Sequence, residues 1–346
     1  MLRRLRLGYY IAKNVLIPGA PILIYHRICD PSCDPQLLSV SPQHFADQLE
    51  VLQRSRHAVR LRELEQGLGY SKKREEVFSI TFDDGYFDNL GNAKALLERF
   101  NVPATVFIIG KNIGNKQEPW WDELDRIILN SETLPEKIGL EISGKWYSWD
   151  LNNAETNGCK EVEASRRWNI SDKKDASCRT VLYRSLCSLL RPLPSREIDD
   201  VLTNLRAQIQ HAPVGQTSYR ILAPEEIVRL TQGGLIEVGG HTMTHPVLSG
   251  LTREDQLKEI QDNKKLLENI LGHEISGFAY PYGTLFAFTR ETVTLVQECG
   301  YKYACSNYPD LVRKGSNPYK LPRLIVRDWD GDEFARCLRN KYGVLV

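Results

Sequence analysis

The stretch Val77-Phe78-Ser79-Ile80-Thr81-Phe82-Asp83-Asp84-Gly85 joins an apolar, strand-like run to two adjacent carboxylates. Such a run, ended by turn-forming residues, predicts a buried β-strand that places both aspartates at its carboxyl end. Adjacent carboxylates resist joint ionisation, so a fold that holds both usually gives them different tasks. The plainer interpretation is a solvated turn, because Asp hydrogen-bonds its own backbone and Gly accepts positive φ. The rest of the chain decides between the two interpretations.

The segments around this strand alternate between strand and helix. Apolar runs at residues 21–25, which end at His26, and at 103–110 predict the neighbouring strands. Further strands are predicted at 57–61, 235–239, 277–280, 301–305 and 324–326, and helices at 42–54, 61–68, 224–231, 253–271 and 331–341. Strands that alternate regularly with helices predict a mainly parallel sheet, as an open doubly wound sheet or a closed barrel.

This alternation is lost between about residues 115 and 215. A hairpin is predicted around Ser143-Gly144-Lys145, followed by charged helical stretches broken at prolines. We therefore expect an insertion here, within a single domain of residues 21–346 that follows a basic and apolar N-terminal segment, residues 1–20. The tryptophans of the insertion could either close a small core or line a sugar groove; they are Trp120, Trp121, Trp146, Trp149 and Trp168.

The bulk properties of the chain exclude several classes of protein. The chain has 346 residues with a net charge of +1, so no global field favours nucleic acid as a partner. No apolar run approaches the roughly 20 residues of a membrane span. No secretion signal is recognised, so a cytoplasmic location is expected, with the basic and apolar N-terminal segment as a candidate for peripheral contact with the inner face of the membrane.

Eight cysteines are scattered through the chain without a zinc-finger spacing. The one close pair, Cys29 and Cys33, could be bridged. Because disulfides are rare in the cytoplasm, we expect these two residues to be free thiols.

Two histidines, His241 and His245, are separated by four residues. This spacing presents both imidazoles on one side of a helical turn and recurs in metal sites for that reason. The alternative is a pair of surface histidines beside Pro246.

The position of the polar residues relative to the predicted strands favours a functional site. His26, Asp83-Asp84, His241 and the segment 280–282 all follow the carboxyl ends of strands, which share one rim in a parallel α/β fold. Two histidines and one carboxylate leave open positions on a metal, and a second carboxylate can take a proton from water. The same ligand set also holds Fe(II) in oxygenases, but those enzymes usually have all-β scaffolds.

At these residues the chain resembles the polysaccharide deacetylases of carbohydrate esterase family 4, also called the NodB-homology group. Thr81-Phe82-Asp83-Asp84-Gly85 is similar to the first motif of that family, and His241-Thr242-Met243-Thr244-His245 to the second. Phe278-Ala279-Tyr280-Pro281-Tyr282-Gly283 resembles the third. The resemblance covers about 20–114 and 216–330. It implies an α/β fold of the distorted (β/α)7-type barrel, with mostly parallel strands and a mainly helical insertion that it does not cover.

The resemblance also implies roles for individual residues. Asp83 would be the catalytic base, and Asp84, His241 and His245 would hold a divalent metal, for which Zn²⁺ is the first expectation and other divalent ions are alternatives. The backbone amide of Tyr282 would be the oxyanion donor.

Two departures from the family pattern concern the base and the acid. Ala279 occupies the place of a third-motif arginine that orients the base in many members, so Arg323 and Arg327 are candidates to replace it. No histidine occurs after His273, so the general acid of the usual C-terminal motif has no counterpart there. Tyr25-His26-Arg27 resembles the N-terminal motif of a permuted branch, which makes His26 the candidate acid. Asp328-Trp329 resembles the fourth motif, although Trp329 could equally be a wall residue.

The expected function is metal-dependent removal of an N-acetyl group from a sugar of an envelope polysaccharide or its lipid- or nucleotide-linked precursor. The expected partner is therefore a saccharide substrate and not a nucleic acid. The alternatives are an N-deformylase, an O-deacetylase, and a non-catalytic saccharide-binding protein derived from deacetylases. The sequence leaves open the sugar, the acyl group, the native metal, the role of the insertion and the oligomeric state.

Overall fold

The computed structural model describes residues 14, 17, 19–65, 77–115, 117–151, 158–209 and 219–344. Most of the N-terminal segment 1–20, the candidate for membrane contact, lies outside the described residues. So does the end of the helix predicted at 61–68. The structure has no described helix with the length and apolar character needed to cross a membrane.

Twelve strands are present in the described residues: β1 (Ile22–Tyr25), β2 (Arg27–Ile28), β3 (Ser39–Val40), β4 (His57–Ala58), β5 (Val77–Phe82), β6 (Ala104–Ile108), β7 (Lys137–Ile142), β8 (Lys145–Asp150), β9 (Ile236–Gly240), β10 (Gly277–Ala279), β11 (Tyr303–Cys305) and β12 (Leu324–Ile325). The described α-helices are α1 (Pro42–Gln53), α2 (Leu61–Glu65), α3 (Lys94–Phe100), α4 (Trp120–Leu124), α5 (Gly158–Arg167), α6 (Cys178–Leu190), α7 (Ser195–Gln208), α8 (Pro224–Thr231), α9 (Arg253–Leu271), α10 (Arg290–Glu298) and α11 (Gly331–Tyr342). Residues Asn89–Ala93 and Asp125–Leu129 form π-helical turns.

The chain divides into two compact units. The first contains residues 1–30, 39–114 and 221–346, and the second contains 31–38 and 115–220. Residues 31–38 are separated in sequence from the rest of the second unit, and no local pattern marks them as part of it.

The first unit is built on one parallel sheet. Its strands follow the order β11-β10-β9-β6-β5-β1-β12, and β4 pairs additionally with β5. Strand β5 is buried along its whole length, as expected for a parallel strand covered on both faces. This burial explains why the apolar run of β5 carries so little alternation.

The two ends of the sheet are brought together through Leu321, just before β12. Leu321 donates its amide to the Ala304 carbonyl at 2.9 Å and accepts from the Ser306 amide at 2.9 Å, and it forms a parallel bridge with Cys305 of β11. The sheet is therefore a distorted (β/α) barrel, as the resemblance implied, and the carboxyl ends of its strands share one rim.

The second unit has its own hydrophobic core. The predicted hairpin is confirmed, with β7 and β8 paired in antiparallel register from Lys137 opposite Asp150 to Ile142 opposite Lys145. Helices α6 and α7 supply much of the apolar core, including Leu182, Leu186 and Leu202.

The tryptophans of the second unit mostly follow the core interpretation. Trp121 and Trp168 are buried, while Trp120 and Trp149 pack partly buried against the core. Trp146 is 71% exposed. Its ring lies on Gly139, where a Cβ would be 2.4 Å from a ring carbon.

None of the seven cysteines whose side chains are described forms a disulfide bond, and Cys29 and Cys33 are among them. The expectation for that close pair is therefore confirmed.

Candidate functional site

The two aspartates directly follow strand β5, and backbone hydrogen bonds to residues of neighbouring chain segments fix both. The Asp83 amide donates to the Tyr25 carbonyl at 3.0 Å, and the Asp84 carbonyl accepts from the Ile109 amide at 3.3 Å. Asp84 has a φ of 70° and Gly85 a φ of 80°, so the chain turns sharply here. Both aspartates are buried, and the solvated-turn interpretation is therefore wrong.

His241 and His245 lie after β9 in a turn outside any helix. The expected helical turn is thus wrong, although the two imidazoles still converge, with ring centroids 4.9 Å apart. Thr242 (φ 65°) and His245 (φ 60°) both adopt left-handed backbone conformations. The Thr242 hydroxyl accepts from the His245 amide at 3.0 Å. The two imidazoles are therefore brought together by a turn with two left-handed residues and not by the repeat of a helix.

One buried carboxylate oxygen lies between the two imidazoles. Oδ1 of Asp84 is 3.5 Å from Nε2 of His241 and 3.6 Å from Nε2 of His245, and it receives no well-formed hydrogen bond. One donor atom from each of these residues lies within 4.8 Å of those from the other two. Nδ1 of His241 is 2.7 Å from the Ala279 carbonyl, so this nitrogen carries the proton and Nε2 keeps its lone pair.

These donors fit a divalent cation. Ligand atoms about 2.1 Å from a zinc ion at the tetrahedral angle are about 3.4 Å apart, close to the two separations at Asp84 Oδ1. Two imidazoles with one carboxylate are a known catalytic zinc set. The Ala279 carbonyl accepts the hydrogen bond that fixes the His241 imidazole, a type of contact that commonly orients imidazoles at metal sites.

The second aspartate, Asp83, is held by Arg323. Nη1 of Arg323 donates to Oδ1 of Asp83 at 2.6 Å, and Nη2 donates to Oδ2 at 2.7 Å. Arg323 lies just before β12 and is fully buried. Of the two arginines suggested by the sequence, Arg323 makes this two-point contact, while Ala279 leaves the third-motif position without a charged group.

The electrostatics of the two aspartates favour ionised carboxylates. Burial acts to raise the pKa of Asp83, but the charges of Arg323 and His241 and the Arg323 hydrogen bonds outweigh it and lower the pKa. Burial likewise opposes ionisation of Asp84, yet the close approach of His241 and His245 to this carboxylate lowers its pKa to about 2. Burial lowers the pKa of His245 to about 3. Near neutral pH the Asp84 carboxylate and the His245 imidazole therefore keep lone pairs for a cation. For His241, burial acts to lower the pKa, but the charges of Asp83 and Asp84 outweigh it and raise the pKa, so a cation would displace a proton from this imidazole.

His26 lies just after β1 within the electrostatic reach of this cluster. Burial lowers its pKa, while the charges of Asp84 and Asp83 act in the opposite direction. Asn89 donates to the His26 carbonyl at 2.9 Å, and the buried Arg27–Asp88 ion pair, 3.0 Å long, fixes the next residue. The strand end that carries His26 is therefore tied to the turn that follows Asp84.

Tyr282 lies in the turn after β10, and its ring centroid is 4.7 Å from that of His245. It has a φ of 59°, and the Gly283 amide donates to the Pro281 carbonyl at 2.7 Å. The third motif thus forms a tight turn beside the second.

Helix α9 supports the histidine turn through two side chains that the sequence patterns did not single out. Glu259 accepts from the Thr244 amide at 2.8 Å and from the Thr244 hydroxyl at 2.7 Å. Asn263 accepts from the His241 amide at 3.0 Å and donates to the Ile108 carbonyl at 3.1 Å. Both contacts join residues far apart in sequence, so periodicity alone could not reveal them.

The Asp328-Trp329 pair lies beside α1. Asp328 is 2.7 Å from Nδ1 of His44, and the Trp329 carbonyl accepts from Gln48 at 2.7 Å. Trp329 is partly buried against the main core, and Nζ of Lys341 lies 4.7 Å from its ring centroid. These contacts favour the wall interpretation of Trp329.

Comparisons with known proteins agree with this geometry. YxkH of Bacillus subtilis (strain 168), assigned to the polysaccharide deacetylases, is 21% identical over 308 residues, which make up 88% of this chain and 71% of YxkH. PdaC of the same organism, a peptidoglycan-N-acetylmuramic acid deacetylase, is 31% identical over 86 residues, or 25% of this chain and 18% of PdaC.

Two solved structures share the fold. The Streptococcus pyogenes deacetylase PplD, in complex with acetate, matches with a TM-score of 0.55 at 16% identity. The match covers 92% of this chain and 96% of PplD. IcaB from Ammonifex degensii matches with a TM-score of 0.55 at 18% identity, and the match covers 91% of this chain and 94% of IcaB.

The family model of the polysaccharide deacetylases matches residues 70–133 and 195–304, about half of the chain. The matched segments include the first, second and third motifs, whose side chains converge at the rim of the barrel. The chain belongs to the polysaccharide deacetylase family of carbohydrate-deacetylating enzymes.

Proposed function

We propose that the protein is a metal-dependent hydrolase that removes an N-acetyl group from a sugar of an envelope polysaccharide or of its lipid- or nucleotide-linked precursor. The proposal depends mainly on one observation, which is that the two adjacent carboxylates have different surroundings. Asp84 faces two imidazoles with an oxygen that lacks a good hydrogen bond, and Asp83 is held apart by Arg323.

We propose Asp84, His241 and His245 as the residues that hold the cation. A bound Zn²⁺ or similar ion supplies Lewis acidity and lowers the pKa of water towards about 7. The parallel α/β barrel supports this hydrolytic use of the ligand set over the oxygenase alternative, which usually has an all-β scaffold.

In the proposed reaction, Asp83 is the general base. Its lowered pKa keeps it ionised near neutrality, so it can accept a proton from the attacking water. Arg323 bonds to both carboxylate oxygens and so restricts rotation of the base. General base catalysis from a positioned group contributes about 10²- to 10⁴-fold in rate.

His26 and Tyr282 complete the proposed mechanism. A His26 with a lowered pKa is a stronger acid when protonated, which suits proton donation to a poor leaving amine. The backbone amide of Tyr282 is proposed to donate to the oxygen of the acyl carbonyl as negative charge develops there. N-formyl and O-acetyl groups are alternatives to N-acetyl, since each presents a similar carbonyl.

We further propose that the enzyme works in the cytoplasm. The seven cysteines whose side chains are described are not in disulfides, which supports a reducing compartment. Fractionation of cells, followed by detection of the enzyme and its activity in each fraction, tests this location.

The proposal is tested by metal analysis of the purified protein, together with detection of acetate and formate released from the host's own envelope precursors. We expect about one divalent ion bound per chain and release of acetate. Asp83→Asn should keep the metal but lose turnover, whereas Asp84→Ala and His241→Ala should lose the metal. Full activity of Asp83→Asn would contradict the mechanism, and a wild-type protein that binds no metal would contradict the proposal.

A further inference from the structure

The turn that carries Tyr282 is closed by Asn307, which follows strand β11. The backbone amide of Asn307 donates to the Gly283 carbonyl at 2.8 Å, and its Nδ2 donates to the Tyr282 carbonyl at 3.1 Å. Gly283 has a φ of 55°, and a Cβ at this position would lie 2.6 Å from the Asn307 nitrogen. Asn307 therefore fits against a backbone surface that only glycine leaves open.

The other end of the Asn307 side chain faces the group that holds the base. Oδ1 of Asn307 accepts from Nη2 of Arg323 at 2.6 Å, and the same Nη2 donates to Oδ2 of Asp83 at 2.7 Å. Because a guanidinium has only donors, Oδ1 must face Arg323 and Nδ2 must face the Tyr282 carbonyl. The orientation of the amide is thus determined by its two partners.

A neighbouring residue anchors Arg323 to the same segment of chain. The Ser306 carbonyl accepts from Nε of Arg323 at 3.1 Å. Ser306 and Asn307 therefore bind two nitrogens of the same guanidinium, Nε and Nη2. The Asp83 carboxylate lies after β5, and the Tyr282 turn lies after β10. Two groups on strands that are not neighbours in the sheet are therefore linked through one side chain.

We propose that Asn307 is a positioning residue that fixes the general base Asp83 relative to the oxyanion-donating turn at Tyr282. The inference deepens the proposed function and rests on it. Base and oxyanion donor must approach one acyl carbon from fixed directions, and a misplacement of about 1 Å can cost about 10²-fold in rate. The two hydrogen bonds of the Asn307 side chain position groups that stabilise the transition state and do not bind the substrate. Their loss should therefore lower kcat and leave KM nearly unchanged.

Two substitutions with side chains of similar shape distinguish the contributions of the two Asn307 hydrogen bonds, one to Arg323 and one to the Tyr282 carbonyl. Asn307→Leu removes both side-chain hydrogen bonds. Asn307→Asp keeps an acceptor for Arg323 but places a carboxylate oxygen against the Tyr282 carbonyl. Asn317→Asp is the matched control, because Asn317 is exposed and its Oδ1 accepts from the Tyr319 amide at 2.8 Å, as an aspartate oxygen also can.

We expect Asn307→Leu to lower kcat by about 10- to 100-fold, with KM within about twofold. Asn307→Asp should also lower kcat, and Asn317→Asp should match the wild type. When Asn307→Leu is combined with Arg323→Met, the double variant should lose less than the product of the two single losses, because both act on one contact. A loss confined to KM, or fully multiplicative losses, would overturn the inference.

A crystal structure of Asn307→Leu gives a readout that needs no activity. We expect the guanidinium of Arg323 to shift relative to Asp83, or the turn at Tyr282 to shift relative to β5. If Asp83, Arg323 and the turn keep their arrangement, the inference is wrong even where the deacetylase activity is confirmed. Conversely, a wild type that releases neither acetate nor formate refutes the proposed function, while this structure still decides the role of Asn307.

Discussion

The residue with the largest consequence for the proposed chemistry is Arg323, because it contacts Asp83 from outside the third motif, where Ala279 carries no charge. It is fully buried and lies 240 positions after the aspartate it contacts. No local pattern in the sequence connects the two. The signal in the sequence is a pair of arginines that flank the apolar run of β12, Arg323 and Arg327, which makes Arg323 one of two candidates. Three-dimensional proximity decides between them.

Replacing Arg323 should change the pH dependence of catalysis. The guanidinium opposes the effect of burial on Asp83, so Arg323→Met should raise the pKa of this carboxyl. The base is active only when ionised, and ionisation then requires a higher pH. The acidic limb of the kcat/KM profile should therefore move to higher pH, and Arg323→Lys should restore part of the shift.

The control for this experiment is Arg253→Met, which breaks an exposed pair with Glu298 at 2.8 Å. Its profile should match the wild type. Breaking a buried ion pair costs about 3–5 kcal/mol, so the Arg323 variants should be assayed well below their unfolding temperature. An unchanged acidic limb in folded Arg323→Met would show that this arginine does not control the base.

The role of His26 can be separated from that of the other groups by the choice of leaving group. Expulsion of an amine needs a proton, whereas a nitrophenolate leaves without one. His26→Ala should therefore lower hydrolysis of the N-acetyl sugar by about 10²- to 10⁴-fold. It should change hydrolysis of p-nitrophenyl acetate much less. Equal losses on both substrates, measured as kcat/KM, would exclude His26 as the acid.

At the scale of elements, the central strands could be predicted because they are short and buried along their whole length, as in β1, β5, β6, β10 and β11. The positions of His26, Asp83, Asp84 and His241 at the carboxyl ends of these apolar runs are enough to identify the four residues as neighbours. The conformation of the connecting turns was not predictable from the spacing. His241 and His245 converge through two left-handed residues, and a four-residue spacing does not distinguish such a turn from a helix.

Helix α9 and the end of strand β9 together hold the histidine turn in place. A Cβ on Gly240 would lie 2.1 Å from the Tyr301 hydroxyl and 2.7 Å from Oδ1 of Asn263. That oxygen accepts from the His241 amide. We expect Gly240→Ala to displace Asn263 and weaken metal binding by about 10- to 100-fold, as loss of supporting contacts does at other metal sites.

Competition with a chromogenic chelator measures this affinity directly. Gly250→Ala is the matched control, since no atom lies within 4 Å of a Cβ built there. Its metal affinity should equal that of the wild type. Unchanged affinity in Gly240→Ala would show that Asn263 does not hold the ligand turn.

At the scale of the whole molecule, the proposed metal ligands all belong to the first unit, whereas five of the six tryptophans belong to the second. The alternation of strands and helices placed the insertion at about 115–215. It could not show that residues 31–38 group with the insertion, because that association depends on tertiary contacts such as the hydrogen bond from Gln36 to Tyr183 at 2.9 Å.

A bound cation should stabilise the folded protein by mass action. At a free Zn²⁺ concentration of 100 times the dissociation constant, the expected gain is about 2.7 kcal/mol. Calorimetry should show a higher unfolding temperature on addition of Zn²⁺ to the metal-free protein, and a chelator should reverse it. Asp84→Ala should show little shift. An equal shift in that variant would mean that zinc binds elsewhere.

The left-handed residues of the site also bear on how the enzyme could be engineered. Among the described residues, seven non-glycine residues have positive φ, and Asp84, Thr242, His245 and Tyr282 are four of them. Such conformations cost on the order of 1–3 kcal/mol each and persist only where surrounding contacts impose them. A search for thermostable variants that is scored on stability alone would favour glycine at these positions and would select against activity. Libraries should therefore keep the three turns at the rim fixed and place their diversity in the helices that surround the barrel.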